Sequence, residues 1–144
     1  MDKSELIPLM SEDAVIYADR VLDVFDAPFA RQMGIEIESV STEQVVCRMK
    51  VEPFMINSMG RAHGAAIYAL MDHTFAIMSN MVHDGTGQSM EVKYYRPASS
   101  ELRCITRPLN ISRSLGIYDV RVYSVEGKLI ASATCTAFVL NKVE

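Results

Sequence analysis

Four residues suited to carbonyl chemistry lie in one short stretch of the chain: Asn57, His63, Gly64 and Asp72. If a helix begins near Gly64, its unpaired backbone N–H groups and the positive end of its dipole point at whatever precedes it. A glycine there lets a ligand come close to the backbone, so the site suits the oxyanion that develops from an attacked carbonyl. The Asp72 carboxylate suits a nucleophile or a general base. Asn57 could orient a water molecule, and His63 could hold the loop or contact a leaving group.

The spacing of these residues limits how they can act together. Gly64 and Asp72 are eight residues apart, which is about 12 Å along one helix at ~1.5 Å per residue. A reacting carbonyl must lie within roughly 3 Å of both its oxyanion donor and its attacking group. One chain therefore cannot bring both residues to the same carbonyl. Two copies with antiparallel helices about a two-fold axis could, so a catalytic pair here requires at least a homodimer.

The stretch from 64 to 82 is nearly all apolar, which predicts a long helix buried at the centre of the domain. A carboxylate in the middle of a buried helix is costly unless it has partners. Asp72 is therefore a functional candidate. The alternative is a structural carboxylate that hydroxyl neighbours satisfy or that faces a dimer interface. His73 and His83 are expected to take no part in the chemistry.

The rest of the chain predicts the elements that surround this helix. Residues 1–10 are expected to form a loose tail, and apolar residues at helical spacing predict a surface helix from Ser11 to Pro28. Alternating patterns predict two strands before the central helix and, after a break at Asp84–Gly87, four strands after it. One face of the last strand carries only small residues, against which the helix is expected to pack: Ala131, Ala133, Cys135 and Ala137.

This order of elements predicts one α+β domain over residues 1–144. An antiparallel sheet of about six strands must curl around the central helix, because no second helix is available to cover it. The apolar fraction of 49% and the net charge of -4 argue against disorder and against nonspecific binding to nucleic acid. The three cysteines are widely spaced and predict buried thiols in a reducing compartment, with no metal site. Polar residues interrupt the apolar helix, so we expect a cytoplasmic protein without a membrane span.

The same residues resemble the motif of a known family. The sequence has Asn57, then His63-Gly64 six residues later, then Asp72 nine residues after the histidine. A strand ending in Tyr94-Tyr95-Arg96-Pro97-Ala98 follows. This pattern resembles the hotdog-fold acyl-CoA thioesterases, and within them the phenylacetate-degradation type, which includes relatives of 4-hydroxybenzoyl-CoA thioesterase. The element order extends the resemblance over residues 30–140.

The resemblance implies hydrolysis of an acyl-CoA to the free acid and CoA, with no cofactor beyond the CoA of the substrate and no metal. It implies that Asp72 attacks the thioester or activates water, and that the Gly64 N–H polarises the thioester carbonyl across a dimer interface. Asn57 would position the water or the thiol, and His63 would brace the loop. The expected assembly is a homodimer that pairs into a homotetramer.

The resemblance also implies a site for the nucleotide end of CoA. The turn Ser112-Arg113-Ser114 falls where similar proteins hold it, although Arg113 could equally be a solvated turn residue. Further basic candidates are Arg61, Arg96 and Lys142. In many relatives a hydroxyl side chain near the start of the next strand assists the water, which makes Thr86 and Ser89 candidates. Methionines are expected to line the acyl pocket: Met55, Met59 and Met90.

Two departures from the family pattern stand out, and two other functions stay open. Ala65 replaces the usual second glycine, and His73 beside Asp72 could shift the carboxylate pKa in either direction. A non-catalytic acyl-CoA binding protein is one alternative, which the retained Asp72 disfavours. A hotdog hydratase or dehydratase is the other, and the constellation from Asn57 to Asp72 disfavours it because those enzymes place their aspartate and histidine differently.

Overall fold

A computed structural model describes residues 1–142, with Lys142 by its backbone alone, so the side chain of that basic candidate lies outside the described residues. The helices are α1 (Lys3–Leu6), α2 (Ala18–Phe25), α3 (Pro28–Met33) and α4 (Gly64–Ser79). The strands are β1 (Glu36–Val40), β2 (Val45–Met49), β3 (His83–Tyr94), β4 (Leu102–Ile111), β5 (Leu115–Ser124) and β6 (Leu129–Lys142). Within residues 1–142, no helix has both the length and the apolar character needed to cross a membrane.

The six strands form one antiparallel sheet in the order β1-β2-β4-β5-β6-β3, wrapped around α4. Leu70, Met71 and Phe75 of α4 are buried, as the apolar pattern predicted. The four small residues of β6 also face the core, since all are buried where α4 packs on the sheet. The predicted fold class, an antiparallel sheet around a long central helix, is confirmed.

The N-terminus differs from the prediction of a loose tail. The Asp2 side chain accepts a hydrogen bond from the Glu5 N–H at 3.0 Å and caps α1. Leu6 is fully buried, and Met10 pairs with Val40 at the end of β1. Residues 1–10 are therefore part of the domain, because an apolar side chain and backbone hydrogen bonds fasten them to it.

The predicted surface helix is shorter than expected and is followed by another. Asp13 accepts hydrogen bonds from the Ser11 and Thr42 hydroxyls, which tie this segment to the turn between β1 and β2 instead of starting a helix. The α-helix begins at Ala18, and Pro28 then opens α3 at a position that suits proline. Both α2 and α3 pack on α4, so the expectation that no other helix covers it was wrong.

The junction between α4 and β3 also differs from the prediction. The expected break at Asp84–Gly87 lies inside β3, where the pairing register shifts between Asp84 and Gly85 and again between Gly87 and Ser89. The glycines accommodate these bulges instead of ending the strand. A side chain at Gly85 would lie 2.8 Å from the Ser79 carbonyl oxygen, so only glycine lets β3 start this close to the end of α4.

Candidate active site

The loop before α4 is organised by Asn57. Its Oδ1 accepts hydrogen bonds from the backbone N–H groups of Met59, at 2.9 Å, and Arg61, at 3.1 Å. Gly60 adopts the left-handed conformation, with φ at +75°, which closes the turn. Because Oδ1 is used within the loop, the side-chain amide N–H groups are what Asn57 can offer to a ligand.

His63 is the N-cap of α4. Its Nδ1 accepts a hydrogen bond from the Ala65 N–H at 3.0 Å, and its backbone N–H donates to the Met55 carbonyl at 2.7 Å. The ring therefore satisfies one of the first N–H groups of the helix and fixes how the loop enters it. Among the described residues, the Gly64 N–H has no acceptor, so it is the open donor at this helix start.

Tyr94, at the end of β3, packs directly on Gly64. Its hydroxyl donates to the Gly64 carbonyl at 3.1 Å, and a Cβ added to Gly64 would lie 3.4 Å from the tyrosine ring. The pKa of Tyr94 is raised, first by loss of solvent and then by the neighbouring Tyr68. Sequence reasoning noted Tyr94 only as part of a motif, because nothing in the local pattern links it to a helix start thirty residues earlier.

A shallow pocket of about 310 Å³ lies beside this helix start. It is lined by Asn57, Met59, Arg61, Ala62, Gly64, Ile67, Tyr94, Tyr95, Arg96 and Pro97. Two of the three predicted catalytic residues at this end, Asn57 and Gly64, thus share one cavity with Arg61. Met59 is exposed there, whereas Met55 is buried beneath the loop.

Asp72 lies on the same side of α4 as Gly64 and Tyr68, at every fourth residue. In the single chain it is exposed, so the expectation of a buried carboxylate was wrong. This stripe of α4 faces outward past the edge of the sheet, while the rest of the helix is covered. Nearby protein still removes enough water to raise the pKa of Asp72, and the adjacent His73 opposes that rise.

A second pocket of about 250 Å³ contains Asp72. Its other lining residues are Tyr68, Phe75, Gly87, Gln88, Ser89 and Met90. Of the hydroxyl candidates, Ser89 lines this pocket but shares a hydrogen bond with Thr136 at 2.8 Å, and Thr86 is not among the lining residues. Met90 is the one predicted pocket methionine beside Asp72.

His73 does not belong to the site. Its Nε2 lies 3.1 Å from the Phe25 carbonyl, and the two rings are 5.8 Å apart, so the side chain fastens α2 to α4. Burial lowers the pKa of His73, which favours the neutral ring donating Nε2–H to that carbonyl. The uncertain effect of this histidine on Asp72 is thereby resolved as a modest lowering of the carboxyl pKa.

The two pockets remain separate within one chain. Helix α4 runs unbroken from Gly64 to Ser79, so Gly64 and Asp72 are about 12 Å apart along it. The predicted nucleotide turn, Ser112–Ser114, is exposed and lies at the Asp72 end of the sheet, near Thr86, because Leu115 and Thr86 both pair with Phe138. Arg61 lies at the opposite end, beside Gly64. The structure therefore divides the predicted residues between two half-sites.

No group of three or more histidine, cysteine, aspartate or glutamate side chains within residues 1–142 is arranged to hold a metal ion. The absence of a cofactor stays a prediction. All three cysteines are buried and free, and burial raises the pKa of each thiol to about 12. They are therefore structural and not nucleophilic groups.

Comparisons with known proteins agree with this architecture. The sequence model of the thioesterase superfamily matches residues 59–131, half of the chain, including Gly64 and Asp72. A crystal structure of a mutant of the phenylacetic acid degradation protein PaaI from Thermus thermophilus is 32% identical, with a TM-score of 0.76. The match covers 79% of this chain and 100% of that one.

Two further relatives describe what such proteins bind or hydrolyse. The acyl-coenzyme A thioesterase PaaI of Escherichia coli K12 is 25% identical over 71% of this chain and 75% of its own length. A hypothetical thioesterase from Streptococcus pneumoniae TIGR4, solved with coenzyme A, is 25% identical with a TM-score of 0.72, over 76% of this chain and 88% of that one. The chain belongs to the thioesterase superfamily, as a hotdog-fold thioesterase of the PaaI-like family.

Proposed function

We propose that this protein hydrolyses the thioester of an acyl-CoA at a site shared between two copies of the chain. The observation that carries the proposal is the stripe of α4 that holds Gly64 and Asp72. It presents an unpartnered N–H at one end and a carboxylate with a raised pKa at the other, both open to the outside of the single chain in the part that the structure describes. The acyl-CoA substrate is supported by the thioesterase relative from Escherichia coli and the coenzyme A complex from Streptococcus pneumoniae.

The chemistry assigns one task to each group. The thioester carbonyl oxygen accepts the Gly64 N–H of one copy, while Asp72 of the other copy removes a proton from water. The water oxygen forms a bond to the carbonyl carbon, and the oxyanion that results is stabilised by the Gly64 N–H and the helix dipole. Collapse of this intermediate breaks the carbon–sulfur bond, and the CoA sulfur leaves with the proton.

Asp72 could instead attack the carbonyl itself. Its oxygen would form a mixed anhydride as CoA leaves, and water would then cleave the anhydride to release the acid and regenerate the carboxylate. The amide N–H groups of Asn57 would hold the water or the carbonyl in either route. His63 would keep the helix start in place, because its ring is already used as the N-cap.

The nucleotide end of CoA would reach the exposed basic rim. Arg113 has no ion-pair partner among the described residues, and it lies between two serines on an open turn. Arginine suits phosphate because its guanidinium donates two parallel hydrogen bonds. Ser112, Ser114, Arg61 and Thr86 are the further candidates for contact with CoA, and a cytoplasmic location stays a prediction.

The proposal is tested by incubating the pure protein with a panel of aromatic and aliphatic acyl-CoAs and a thiol reagent. Release of free thiol is the expected result. Ligand that stays bound and unchanged would mean an acyl-CoA binding protein, and loss of enoyl absorbance without thiol would mean a hydratase. Either outcome would overturn the proposal.

A further inference from the structure

Strand β3 ends the sheet and leaves one long edge unpaired. It has twelve residues and pairs with β6 alone, so its other side presents backbone N–H and C=O groups with no neighbouring strand in the described part of the chain. Such an edge is a template for another strand. The stripe of α4 that carries Gly64 and Asp72 lies next to this edge, since Tyr94 contacts Gly64 and Met90 lines the pocket of Asp72.

The charges on this edge are Glu91 and Lys93. Both are exposed, and neither has an ion pair or a side-chain hydrogen bond within residues 1–142. Charged side chains on the other edge and central strands are paired, as in Arg48 with Glu36 at 3.0 Å and Arg121 with Asp119 at 3.0 Å. A lone lysine on an edge prevents strand pairing, but opposite charges two residues apart can complement each other in a second copy.

Two-fold symmetry makes that complementarity depend on register. When two identical strands pair antiparallel, facing residues lie symmetrically about the axis. With Val92 on the axis, Glu91 of each copy faces Lys93 of the other, which gives two attractive pairs. With Glu91 on the axis, Glu91 faces itself. With Met90 on the axis, Glu91 faces Ser89 and Lys93 faces Gly87.

The positions of the two half-sites select the same register independently. Tyr94 marks the level of Gly64 on β3, and Met90 marks the level of Asp72. With Val92 on the axis, Tyr94 of one copy faces Met90 of the other, which brings Gly64 of one copy towards Asp72 of the other. On α4 the residue midway between them is Tyr68, which is 40% exposed and would lie nearest the axis.

We infer that a second copy of this chain pairs along β3 in one register, with Val92 on the two-fold axis and Glu91 facing Lys93 of the second copy. This inference rests on the proposed function, because the shared site is what the register assembles. It adds the residues that fix how the two chains align.

Cysteine substitutions measure the register directly. Facing Cα atoms in an antiparallel pair lie about 4.5–5.5 Å apart, within disulfide range, whereas diagonal ones lie about 7–8 Å apart and outside it. The native cysteines are fully buried and do not interfere. The full chain is prepared as Glu91→Cys, as Lys93→Cys and as a co-refolded mixture, then oxidised and separated on a non-reducing gel.

Neither single variant should cross-link, and the mixture should cross-link up to about half of its chains, because half of the dimers are mixed under random pairing. Cross-linking of Glu91→Cys alone would place Glu91 on the axis and overturn the inference. A mixture that does not cross-link would overturn it as well. The double variant, with both cysteines in one chain, should cross-link nearly all chains.

Charge reversal gives a second readout that needs no oxidation. Glu91→Lys and Lys93→Glu each create like charges across the pair, so each should raise the dimer dissociation constant about tenfold or more. Mixing the two variants restores opposite charges and should restore the parent constant, measured by analytical ultracentrifugation. The matched control is the same pair of reversals at Glu126 and Lys128, which have the same spacing on the turn between β5 and β6 and should change nothing. Weakening without recovery on mixing would contradict the register.

The proposed activity and the register can fail separately. Cross-linking between positions 91 and 93 without thiol release from any acyl-CoA would leave the register standing and overturn the activity. Thiol release from a protein that does not cross-link there would do the reverse.

Discussion

Replacing Asp72 by asparagine should separate activity from stability. Asparagine keeps the size and shape of the side chain but can neither accept the proton from water nor attack the thioester. We expect turnover to fall by about 10²–10⁴, the range for a positioned acid–base group. At 1.36 kcal/mol for each tenfold change, that loss is about 3–5 kcal/mol of transition-state stabilisation.

Stability should move in the opposite direction or stay the same. The folded protein raises the pKa of Asp72, mainly because neighbouring groups exclude water. A carboxyl with a raised folded pKa disfavours folding once the pH is high enough to ionise it, and this cost is fully present at neutral pH. A neutral asparagine removes the cost, so the free energy of unfolding at pH 7 should be unchanged or higher.

Steady-state thiol release and urea unfolding at pH 7 measure the two effects. Asp84→Asn is not a suitable control, because Asp84 pairs with Arg20. Asp23→Asn on α2 is suitable, since this residue has no ion pair among the described residues and should leave both quantities unchanged. Turnover of Asp72→Asn within a factor of two of the parent would refute the assignment of Asp72. A large loss of stability would refute the reasoning about its solvent exclusion.

Three other predictions follow from the site and the fold. The plot of kcat/KM against pH should fall on the acid side with a midpoint above 3.8, the ordinary value for aspartate, because Asp72 must be ionised and its pKa is raised; a midpoint at or below 3.8 would contradict this. Arg113→Ala should raise KM for an acyl-CoA more than for a short thioester without the nucleotide, and an equal effect on both would remove Arg113 from the nucleotide site. Leu6→Ala should lower the free energy of unfolding by about 2–5 kcal/mol, whereas Ile7→Ala, at a 38% exposed neighbour, should cost much less; equal small effects would restore a loose N-terminus.

The spacing of Gly64 and Asp72 could be predicted from the sequence because it depends only on the helical repeat. Nearly continuous apolar residues identified α4 as the central helix, and alternation identified the sheet. Where the sequence failed, the reason is that an all-round apolar helix does not reveal which of its stripes lies past the edge of the sheet. Asp72 was therefore expected to be buried in the single chain, and it is exposed.

Contacts between distant segments were also out of reach. Tyr94 joins Gly64 only because β3 runs back along α4, and His73 joins Phe25 only because α2 lies across the helix. The start of α1 is different, because its signal was present in the sequence. Asp2 followed by Glu5 is a capping pair just before Leu6, and it would have predicted an ordered helix in place of a loose tail.

The variant Gly64→Pro tests the oxyanion donor with little disturbance of the fold. Proline suits the first position of a helix, and the extended conformation of His63, with ψ at 139°, suits a residue before proline. The substitution therefore removes the N–H while keeping the helix start. Gly64→Ala is the matched control, because it adds the same Cβ contact with Tyr94 and keeps the N–H.

The most direct test of the shared site is to mix Gly64→Pro with Asp72→Asn. Each homodimer should be nearly inactive. After unfolding and co-refolding, half of the dimers should be mixed, and each mixed dimer has one site with both defects and one intact site. Thiol release should then recover to about a quarter of the parent rate if the sites act independently. With mixed dimers confirmed by mass, a mixture no more active than its separate components would contradict a site built from two chains.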